Sequence, residues 1–325
     1  MNILQTDYLG LKLTSPVIAG SSGLTSSLPG MKEAEDCGAG AVVMKSLFEE
    51  QINYSIASVP DTSAYPEASD YISWYTRQNA VDEYLNLISR ASSELDIPVI
   101  PSINCITSDA WIEFAKNIES AGADALEVNM FFLPVDKKLS SAEVEKQYFT
   151  LIEKLRKKIT IPLALKIGPR FSNILYMIDQ FYNRGVQGVV MFNRFFEPEI
   201  DTDRLSIVAA PVFSTPEEKR YVLRWIAMAS SMNIKIDLSA STGIHSGTDA
   251  AGFLLAGANT VQVCSVLYRK GMGFMKSIND GLTAWMESKG FSNIQEFRGI
   301  LNYSSVEQPG LFERTQFMKH FSSYE

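Results

Sequence analysis

Two apolar runs late in the chain end in small and hydroxyl residues. The first begins at Ile234 and ends in Ser239–Gly243, and the second begins at Thr260 and ends in Cys264 and Ser265. A strand that stops in Ser, Thr or Gly before a helix presents unpaired backbone N–H groups, which bind anions. Two such ends, one helix apart, predict a phosphate pocket formed by the last two loops of a (β/α)8 barrel. On one loop alone the glycines would need only to serve turns, so the hypothesis depends on the earlier strands.

Polar residues also follow the earlier apolar runs, each at the point where the run ends. They are small, hydroxyl, amide and ammonium groups: Gly20, Ser21, Ser22, Lys45, Ser46, Asn104, Asn129, Lys166 and Asn193. Catalytic groups of a barrel lie at this end of the strands, so we expect the set to converge on one rim. Taken singly, a Lys that extends to solvent or an Asn that caps a helix is the simpler interpretation. The pattern offers no strand-end carboxylate to neutralise the two lysines, and a loop Asp or Glu would have to do so.

Apolar runs and amphipathic, helix-length segments alternate along the chain. Eight runs are predicted strands: Pro16–Ala19, Ala41–Lys45, Pro98–Ile103, Ala125–Asn129, Leu163–Ile167, Gly188–Phe192, Lys235–Ser239 and Thr260–Cys264. This alternation indicates a parallel α/β sheet covered by helices, and eight repeats favour a closed (β/α)8 TIM barrel over an open doubly wound sheet. We expect the barrel to occupy residues 1–289, with long loops at its C-terminal rim. A C-terminal extension, residues 290–325, is expected to pack on the barrel or on a partner subunit.

Composition argues against several kinds of function. The net charge of −8 and the lack of an extended basic patch argue against a nucleic-acid partner. No apolar run approaches the roughly 20 residues that a membrane helix needs, and the N-terminus has no signal-peptide pattern, so we expect a cytoplasmic protein with no membrane partner. The three cysteines are far apart and the chain has two histidines, so the sequence supports no metal site and does not favour metal-dependent or Ser-His-Asp hydrolysis.

Two ammonium groups, several amides and a phosphate pocket together suit flavin mononucleotide (FMN). The last two loops would hold its phosphate, amides would bond the edge of its ring, and a lysine would stabilise the negative charge of the reduced ring. A Schiff-base aldolase or lyase that acts on a phosphorylated substrate is the alternative, with Lys45 or Lys166 as its amine.

Eight short spans resemble successive strand-end motifs of the dihydroorotate dehydrogenase family, class 1 in particular. They are SPVIAGSSG, GAVVMKS, SINC, LEVN, LALKIGP, VVMFNR, STGIHSGTDA and AGANTVQVCS. The resemblance runs from Thr14 to Gly271, and the later phrase EFRGILNY is similar to the flavin domain of dihydropyrimidine dehydrogenases. It implies an FMN-dependent oxidoreductase of CH–CH groups in pyrimidine biosynthesis, with a small-molecule substrate and a homodimeric state.

The resemblance also implies roles for individual residues. Those that it assigns to the flavin are Gly20, Ser21, Lys45, Ser46, Asn104, Asn129, Lys166, Thr242, Gly243, Cys264 and Ser265. Within this set it makes Lys45 and Lys166 catalytic, with Lys45 at the reactive edge of the ring and Lys166 beside N1 and the C2 oxygen. It places Asn193, together with Lys45 and Asn129, on the substrate.

The chain departs from the family at the substrate. After Asn129 the family has N-x-S-[C/S]-P-N, whose Cys or Ser removes a substrate proton, whereas this chain has NMFFLP with Phe132 at that position. A phenyl ring accepts no proton. The family's N-[SA]-x-G-[LF] motif after the second strand is also absent. We therefore expect an altered substrate pocket and a base from elsewhere, for which the candidates are Tyr65, Glu67, Tyr75 and Cys105.

A different class of function stays open at this stage. The chain would then be a structural or electron-transfer flavin subunit that works with a redox partner protein. Class 1 relatives can work with an iron–sulfur partner, and this chain has no cluster ligands of its own.

Overall fold

The computed structural model describes residues 3–48, 81–104, 110–194 and 197–313. The four candidate bases named from the sequence, Tyr65, Glu67, Tyr75 and Cys105, lie outside these ranges. Most of the segment between the second and third predicted strands, Ala41–Lys45 and Pro98–Ile103, also lies outside them. Those assignments therefore stay predictions.

Fourteen strand segments are present in the described ranges. They are β1 (Thr6–Tyr8), β2 (Leu11–Leu13), β3 (Val17–Ala19), β4 (Ala41–Val43), β5 (Leu47–Phe48), β6 (Val99–Ile100), β7 (Ser102–Asn104), β8 (Leu126–Met130), β9 (Leu163–Ile167), β10 (Gly188–Met191), β11 (Pro198–Asp201), β12 (Ser206–Ala209), β13 (Asp237–Ser241) and β14 (Thr260–Val263). Ten of them form one parallel sheet in the order β5-β7-β8-β9-β10-β13-β14-β3-β4-β6. The pairs β1–β2 and β11–β12 are separate antiparallel hairpins.

The parallel sheet closes on itself as a barrel of eight strands. Strand β4 pairs with β6, and β5 pairs with β7. Since only Pro101 separates β6 from β7 and three residues separate β4 from β5, each pair of segments is one interrupted strand. The two ends of the sheet are thus the same two strands, paired along their length. This confirms the predicted TIM barrel.

Helices follow most of the strands and cover the outside of the barrel. They are α1 (Leu28–Asp36), α2 (residues 81–94), α3 (Ala110–Ser120), α4 (Ser141–Arg156), α5 (Ile174–Tyr182), α6 (Lys219–Ala229), α7 (Gly247–Ala256), α8 (Ser265–Lys270) and α9 (Phe274–Lys289). Several begin where a side-chain oxygen caps the first turn, as Ser140 does for α4 and Ser246 for α7. Every residue of β8, β9, β10 and β14 is buried, because one face packs against helices and the other fills the barrel.

The β1–β2 hairpin closes the end of the barrel opposite the rim. Tyr8 and Leu9 are buried against Ile18, Ile100 and other apolar residues from the starts of the strands. The backbone N–H of Leu9 donates to Asp237 Oδ2 at 2.7 Å, which ties the hairpin to the start of β13. The hairpin therefore forms an apolar plug at one end of the barrel. The polar strand-end residues lie at the other end.

The predicted strands agree with the structure to within one or two residues at most ends. Strand β9 has the predicted limits, whereas β13 begins and ends two residues later than predicted. It begins late because Asp237 is the first residue that pairs with β10, opposite Gly188. The β11–β12 hairpin lies between the sixth and seventh predicted strands, where the sequence analysis marks no strand.

The segment after α9 packs on the outside of the barrel as far as it is described. Ile294 and Phe297 are fully buried. The backbone N–H groups of Gly299 and Leu301 donate to carbonyl oxygens at the end of α7, at 3.0 and 2.9 Å. The domain limits at residues 289 and 290 remain a prediction. Within the described ranges, no helix combines the length and apolar character needed to cross a bilayer.

Candidate active site

The residues predicted at the strand ends lie on the rim that faces away from the hairpin plug. Short hydrogen bonds join several of them across neighbouring strands. Ser21 Oγ lies 3.1 Å from Ser46 Oγ and accepts the backbone N–H of Ser46 at 3.0 Å. Ser46 Oγ also lies 2.7 Å from Ser102 Oγ, so the hydrogen-bonded hydroxyl groups extend to β7. Gly20 is held on the other side, where its N–H donates to Val263 O of β14 at 2.9 Å.

Tyr84, on α2, fixes the strand that carries Asn104. Its hydroxyl donates to the carbonyl oxygen of Ser102 and accepts the N–H of the same residue, both at 3.0 Å. Burial raises the pKa of the Tyr84 phenol well above its ordinary value, so the group stays neutral. Asn104 follows at the end of β7, and its Oδ1 is buried with no hydrogen-bond partner among the described residues. An acceptor left free at the rim suits a ligand that carries an N–H group.

The two lysines have different environments. Lys166, in β9, is buried, and its Nζ donates to Gln262 Oε1 at 3.0 Å. Lys45, between β4 and β5, is exposed. The strand-end pattern did not distinguish the burial of these two lysines, and the structure shows that Lys166 alone of the two is buried in the barrel.

A cavity of about 220 Å³ lies at the ends of β13 and β14, where the sequence predicts a phosphate pocket. We call it the anion pocket. Its lining includes Ser21, Lys166, Asn193, Thr242, Gly243, Cys264 and Ser265 from the predicted set, together with Arg194, Phe213 and Tyr268. None of the described residues that line it is an Asp or a Glu. Hydroxyls and the Lys166 ammonium in this lining make it suitable for an anion, whereas Arg194 already pairs with Glu218 Oε2 at 2.9 Å.

The backbone of the anion pocket is constrained at two adjacent residues. Thr242 has φ +87° and Gly243 has φ +78°, both in the region that favours glycine. A Cβ at position 243 would lie 2.4 Å from the backbone N of Lys219 at the start of α6, so only glycine fits there. Thr242 Oγ1 donates to Phe192 O at 3.3 Å. The loop after β13 thus approaches α6 closely through Gly243, while Thr242 holds a conformation that a β-branched residue seldom adopts.

Cys264 lines the anion pocket as a neutral thiol. Burial raises the pKa of the Cys264 thiol, and the nearby Lys166 ammonium opposes that rise only in part. At neutral pH the thiol therefore keeps its proton. It is a wall of the pocket and not a thiolate nucleophile.

A larger cavity, of about 780 Å³, adjoins the anion pocket on the rim. We call it the rim cavity. Its lining combines four amides and two charged side chains with apolar ones: Asn104, Asn129, Gln147, Asn193, Asp136, Arg194, Phe48, Phe131, Phe132, Leu133 and Pro134 among others. Asn193 and Arg194 line both cavities, so the two are neighbours. Amides beside aromatic surface suit a planar ligand with a few polar groups.

Aromatic side chains occupy the place where the family's base is expected. The Phe132 ring packs edge to face on Tyr148, with centroids 4.6 Å apart, and the Phe132 N–H donates to Tyr148 Oη at 3.2 Å. The Phe131 ring lies so close to Gly168 that a Cβ there would be 2.8 Å from it. Position 132 is thus part of an aromatic cluster with α4.

Glu127 and Gln262 are polar residues of the site that the sequence analysis missed. The sequence analysis considered carboxylates only at strand ends and in loops, whereas Glu127 lies within β8 and its Oε1 is 3.8 Å from Lys166 Nζ. Gln262 Nε2 in β14 donates to Glu127 Oε2 at 2.6 Å. A signal was present, since Glu127 stands two residues before Asn129 and therefore faces the same side of its strand.

The fold and the rim define a (β/α)8-barrel protein with an enzyme-like site, in which a buried lysine, amides and an anion pocket meet at the carboxyl ends of the strands. A family described as dihydroorotate dehydrogenase matches residues 3–286. The chain belongs to the dihydroorotate dehydrogenase family, as the strand-end motifs indicated.

Similar curated proteins carry the names of two kinds of dehydrogenase. The chain is 29% identical to dihydropyrimidine dehydrogenase (NADP(+)), chloroplastic, of Arabidopsis thaliana, over 89% of this chain and 75% of that one. It is 24% identical to the dihydroorotate dehydrogenase B (NAD(+)) catalytic subunit of Thermoplasma volcanium, over 92% of this chain and 99% of that one. It is also 24% identical to the NAD-dependent dihydropyrimidine dehydrogenase subunit PreA of Escherichia coli K12, over 93% and 78%. All three names describe dehydrogenases or subunits of dehydrogenases.

Proposed function

We propose that this protein is an FMN-dependent oxidoreductase of CH–CH groups whose substrate differs from dihydroorotate. The observation that carries the proposal is the buried ammonium of Lys166 in the wall of the anion pocket, next to a rim cavity lined by amides and phenyl rings. Family membership supports the reaction class, and the aromatic side chain at position 132 supports the change of substrate.

The described residues fit a flavin mononucleotide. The anion pocket has no described carboxylate in its lining and has several hydroxyl groups, which suits a phosphate. The free acceptor of Asn104 suits a ring N–H. These features are independent of one another, and each matches a different part of the cofactor.

Residues on the rim would hold the cofactor in three groups. Thr242, Gly243, Cys264 and Ser265 would surround the phosphate, and Gly20, Ser21, Ser46, Asn104 and Asn129 would line the ring. Lys166 would donate to the N1 and C2 oxygen edge, and Lys45 would lie at the reactive edge. When bound, FMN supplies a two-electron acceptor for a hydride from a substrate C–H bond.

The protein's own groups would orient the substrate and exclude water. Asn193 and Asn129 present amides between the two cavities, where they would bond a carbonyl or N–H of the substrate. Phe131, Phe132 and Leu133 would cover the apolar part and lower the local dielectric, which strengthens the action of Lys166. Because the phenyl ring at position 132 accepts no proton, a base would have to come from another residue or from the substrate.

The Schiff-base alternative receives less support. A Schiff-base lysine must present a neutral amine to its substrate. Lys166 instead donates to Gln262, and the carboxylate of Glu127 3.8 Å away stabilises the charged ammonium. Lys45 has no buried surroundings that would activate it, since its side chain is exposed.

The role of an electron-transfer subunit is the second candidate. Two of the relatives are named as subunits, the dihydroorotate dehydrogenase B catalytic subunit and PreA. A redox partner protein and a homodimeric state accordingly remain predictions for this chain. Robust turnover by the isolated chain would count against an obligatory redox partner.

Anaerobic mixing with substrate tests the proposed change of substrate. FMN-loaded protein is mixed with dihydroorotate and, separately, with dihydropyrimidines that lack its carboxylate, and bleaching of the flavin is followed. We expect dihydroorotate to reduce the flavin slowly or not at all. Rapid reduction by dihydroorotate, with steady-state turnover typical of the family, would refute the altered-pocket hypothesis.

A further inference from the structure

Three polar side chains from three strands meet inside the barrel, just below the rim. Gln262 lies between the other two: its Oε1 accepts from Lys166 Nζ at 3.0 Å, and its Nε2 donates to Glu127 Oε2 at 2.6 Å. The chemistry of the neighbours fixes this orientation, because an ammonium only donates and a carboxylate only accepts. Gln262 thus bridges the Lys166 ammonium and the Glu127 carboxylate by hydrogen bonds.

Glu127 is the most deeply buried member of the group. It is 1% exposed, and Oε1 has no hydrogen-bond partner among the described residues. Burial of a carboxylate is costly unless a charge partner lies nearby. Lys166 Nζ, 3.8 Å from Oε1, is that partner. Glu127, Gln262 and Lys166 therefore form one connected group. It extends from the interior of the barrel to the anion pocket, which Lys166 lines.

The groups below this unit do not neutralise Glu127. Tyr8 closes the barrel on that side. Burial raises the pKa of the Tyr8 phenol far above its ordinary value, and the negative charge of Glu127 adds to the rise. Ser239 and Thr260, in the same interior, bond each other at 2.9 Å and are uncharged. The charge of Glu127 is thus balanced mainly by Lys166.

We propose that Glu127 and Gln262 are positioning residues that set how strongly Lys166 stabilises negative charge on a bound flavin. This inference rests on the proposed function. When the bound ring accepts two electrons and one proton as a hydride, it gains one negative charge, which the ammonium of Lys166 stabilises. Glu127 shares that ammonium and weakens its effect, whereas Gln262 keeps Lys166 from moving toward Glu127 and away from the pocket.

The test measures two properties of FMN-loaded protein that do not depend on turnover. One is the dissociation constant of sodium sulfite, whose adduct with the ring also carries negative charge at the edge where Lys166 is placed. The other is the two-electron midpoint potential, measured against a reference dye. We expect Glu127→Gln to bind sulfite about tenfold more tightly or better, because one buried negative charge is removed. The matching change in potential is about 30 mV in the positive direction.

Three further variants separate an effect of charge from structural damage. Glu127→Asp keeps the charge and is expected to stay near the wild-type values, and Gln262→Met is expected to weaken sulfite binding about tenfold because Lys166 then moves toward Glu127. The matched control is Glu119→Gln. Glu119, in α3, is half-buried and accepts the backbone N–H groups of Thr160 and Ile161, which precede β9 and lie away from the rim. Its variant should stay within about twofold of wild type.

Each outcome bears on the proposal. Equal shifts in Glu127→Asp and Glu127→Gln, or FMN-loaded variants with wild-type sulfite affinity and potential, overturn the inference alone. If Glu127→Gln does not fold, the sulfite dissociation constant of Gln262→Met still tests the inference. Weaker sulfite binding in that variant supports it, and unchanged binding overturns it. A wild-type protein that takes up no FMN overturns the proposed function and this inference with it.

Discussion

Asn193 donates a hydrogen bond from its Nδ2 to Asn129 Oδ1, at 3.0 Å. Asn129 belongs to β8, and Asn193 follows the end of β10. Strand β9, which carries Lys166, lies between these two strands. The amide pair therefore spans the strand of the buried lysine. It joins two residues that the sequence analysis assigned to the substrate.

Removal of this link should affect the substrate more than the cofactor. We expect Asn193→Ala to retain FMN but to lower kcat/KM with the substrate about 10²-fold, and to lower the free energy of unfolding by about 1 kcal/mol. Flavin content, steady-state kinetics and urea denaturation measure the three quantities. Asn183→Ala is the control. The side-chain amide of Asn183 also donates a hydrogen bond, to Asp179 Oδ2, but Asn183 is exposed on the outside of the barrel. Equal kinetic losses in both variants would remove Asn193 from the substrate site.

Loss of the Lys166 ammonium should impair reduction of the flavin. In Lys166→Met the alkyl chain is largely kept and the charge is lost, so we expect the rate of anaerobic reduction to fall about 10²-fold or more. Stopped-flow absorbance with a single turnover of substrate measures this rate. Lys157→Met, at an exposed position after α4, should leave the rate unchanged. Unaltered reduction kinetics in Lys166→Met would exclude the proposed role of this lysine.

The backbone of Lys219 lies so close to Gly243 that one added methyl group should affect both FMN binding and stability. Gly243→Ala adds a Cβ 2.4 Å from the backbone of Lys219 at a left-handed φ, so the loop must move. We expect weaker FMN binding by about tenfold or more and a loss of stability of about 2 kcal/mol or more. Gly252→Ala is the matched control. Gly252 lies within α7 with open space around its Cβ position, and alanine there should raise the stability by up to about 1 kcal/mol.

His245, in the loop after β13, should make the stability depend on pH. Burial, and then the nearby charge of Arg269, lower the pKa of His245 below its ordinary value of 6.5. The unfolded chain therefore binds the proton more readily, and the folded protein loses stability as the pH falls through that range. We expect the urea midpoint to fall between about pH 7.5 and pH 5.5, and His245→Gln to reduce the fall. An identical pH dependence in wild type and variant would contradict this account.

The sequence predicts local features of this fold better than contacts between distant strands. The limits of β9 are predictable because an apolar run lies between Pro162 and Gly168. The rim residues are predictable because parallel strands of a barrel carry their functional groups at the same end. The Lys166–Gln262–Glu127 contacts are not, since they join β8, β9 and β14 only after the sheet has closed.

Positions that depend on tertiary contacts were missed for the same reason. The start of β13 is set by pairing with β10 and by the bond between Asp237 and the hairpin, neither of which is encoded in the local pattern. The strand-end pattern likewise did not distinguish the burial of Lys45 from that of Lys166. Their different burial follows from what surrounds each strand end in the closed barrel.

An absorption spectrum of the purified protein, followed by release and identification of any chromophore, tests the central claim most directly. If the protein does not retain its cofactor during purification, the same spectrum is recorded after addition of FMN and gel filtration. The account predicts flavin bands that leave with FMN on denaturation, at about one FMN per chain, and a loss of FMN affinity in Gly243→Ala. A colourless protein that also takes up no added FMN would contradict the proposed function.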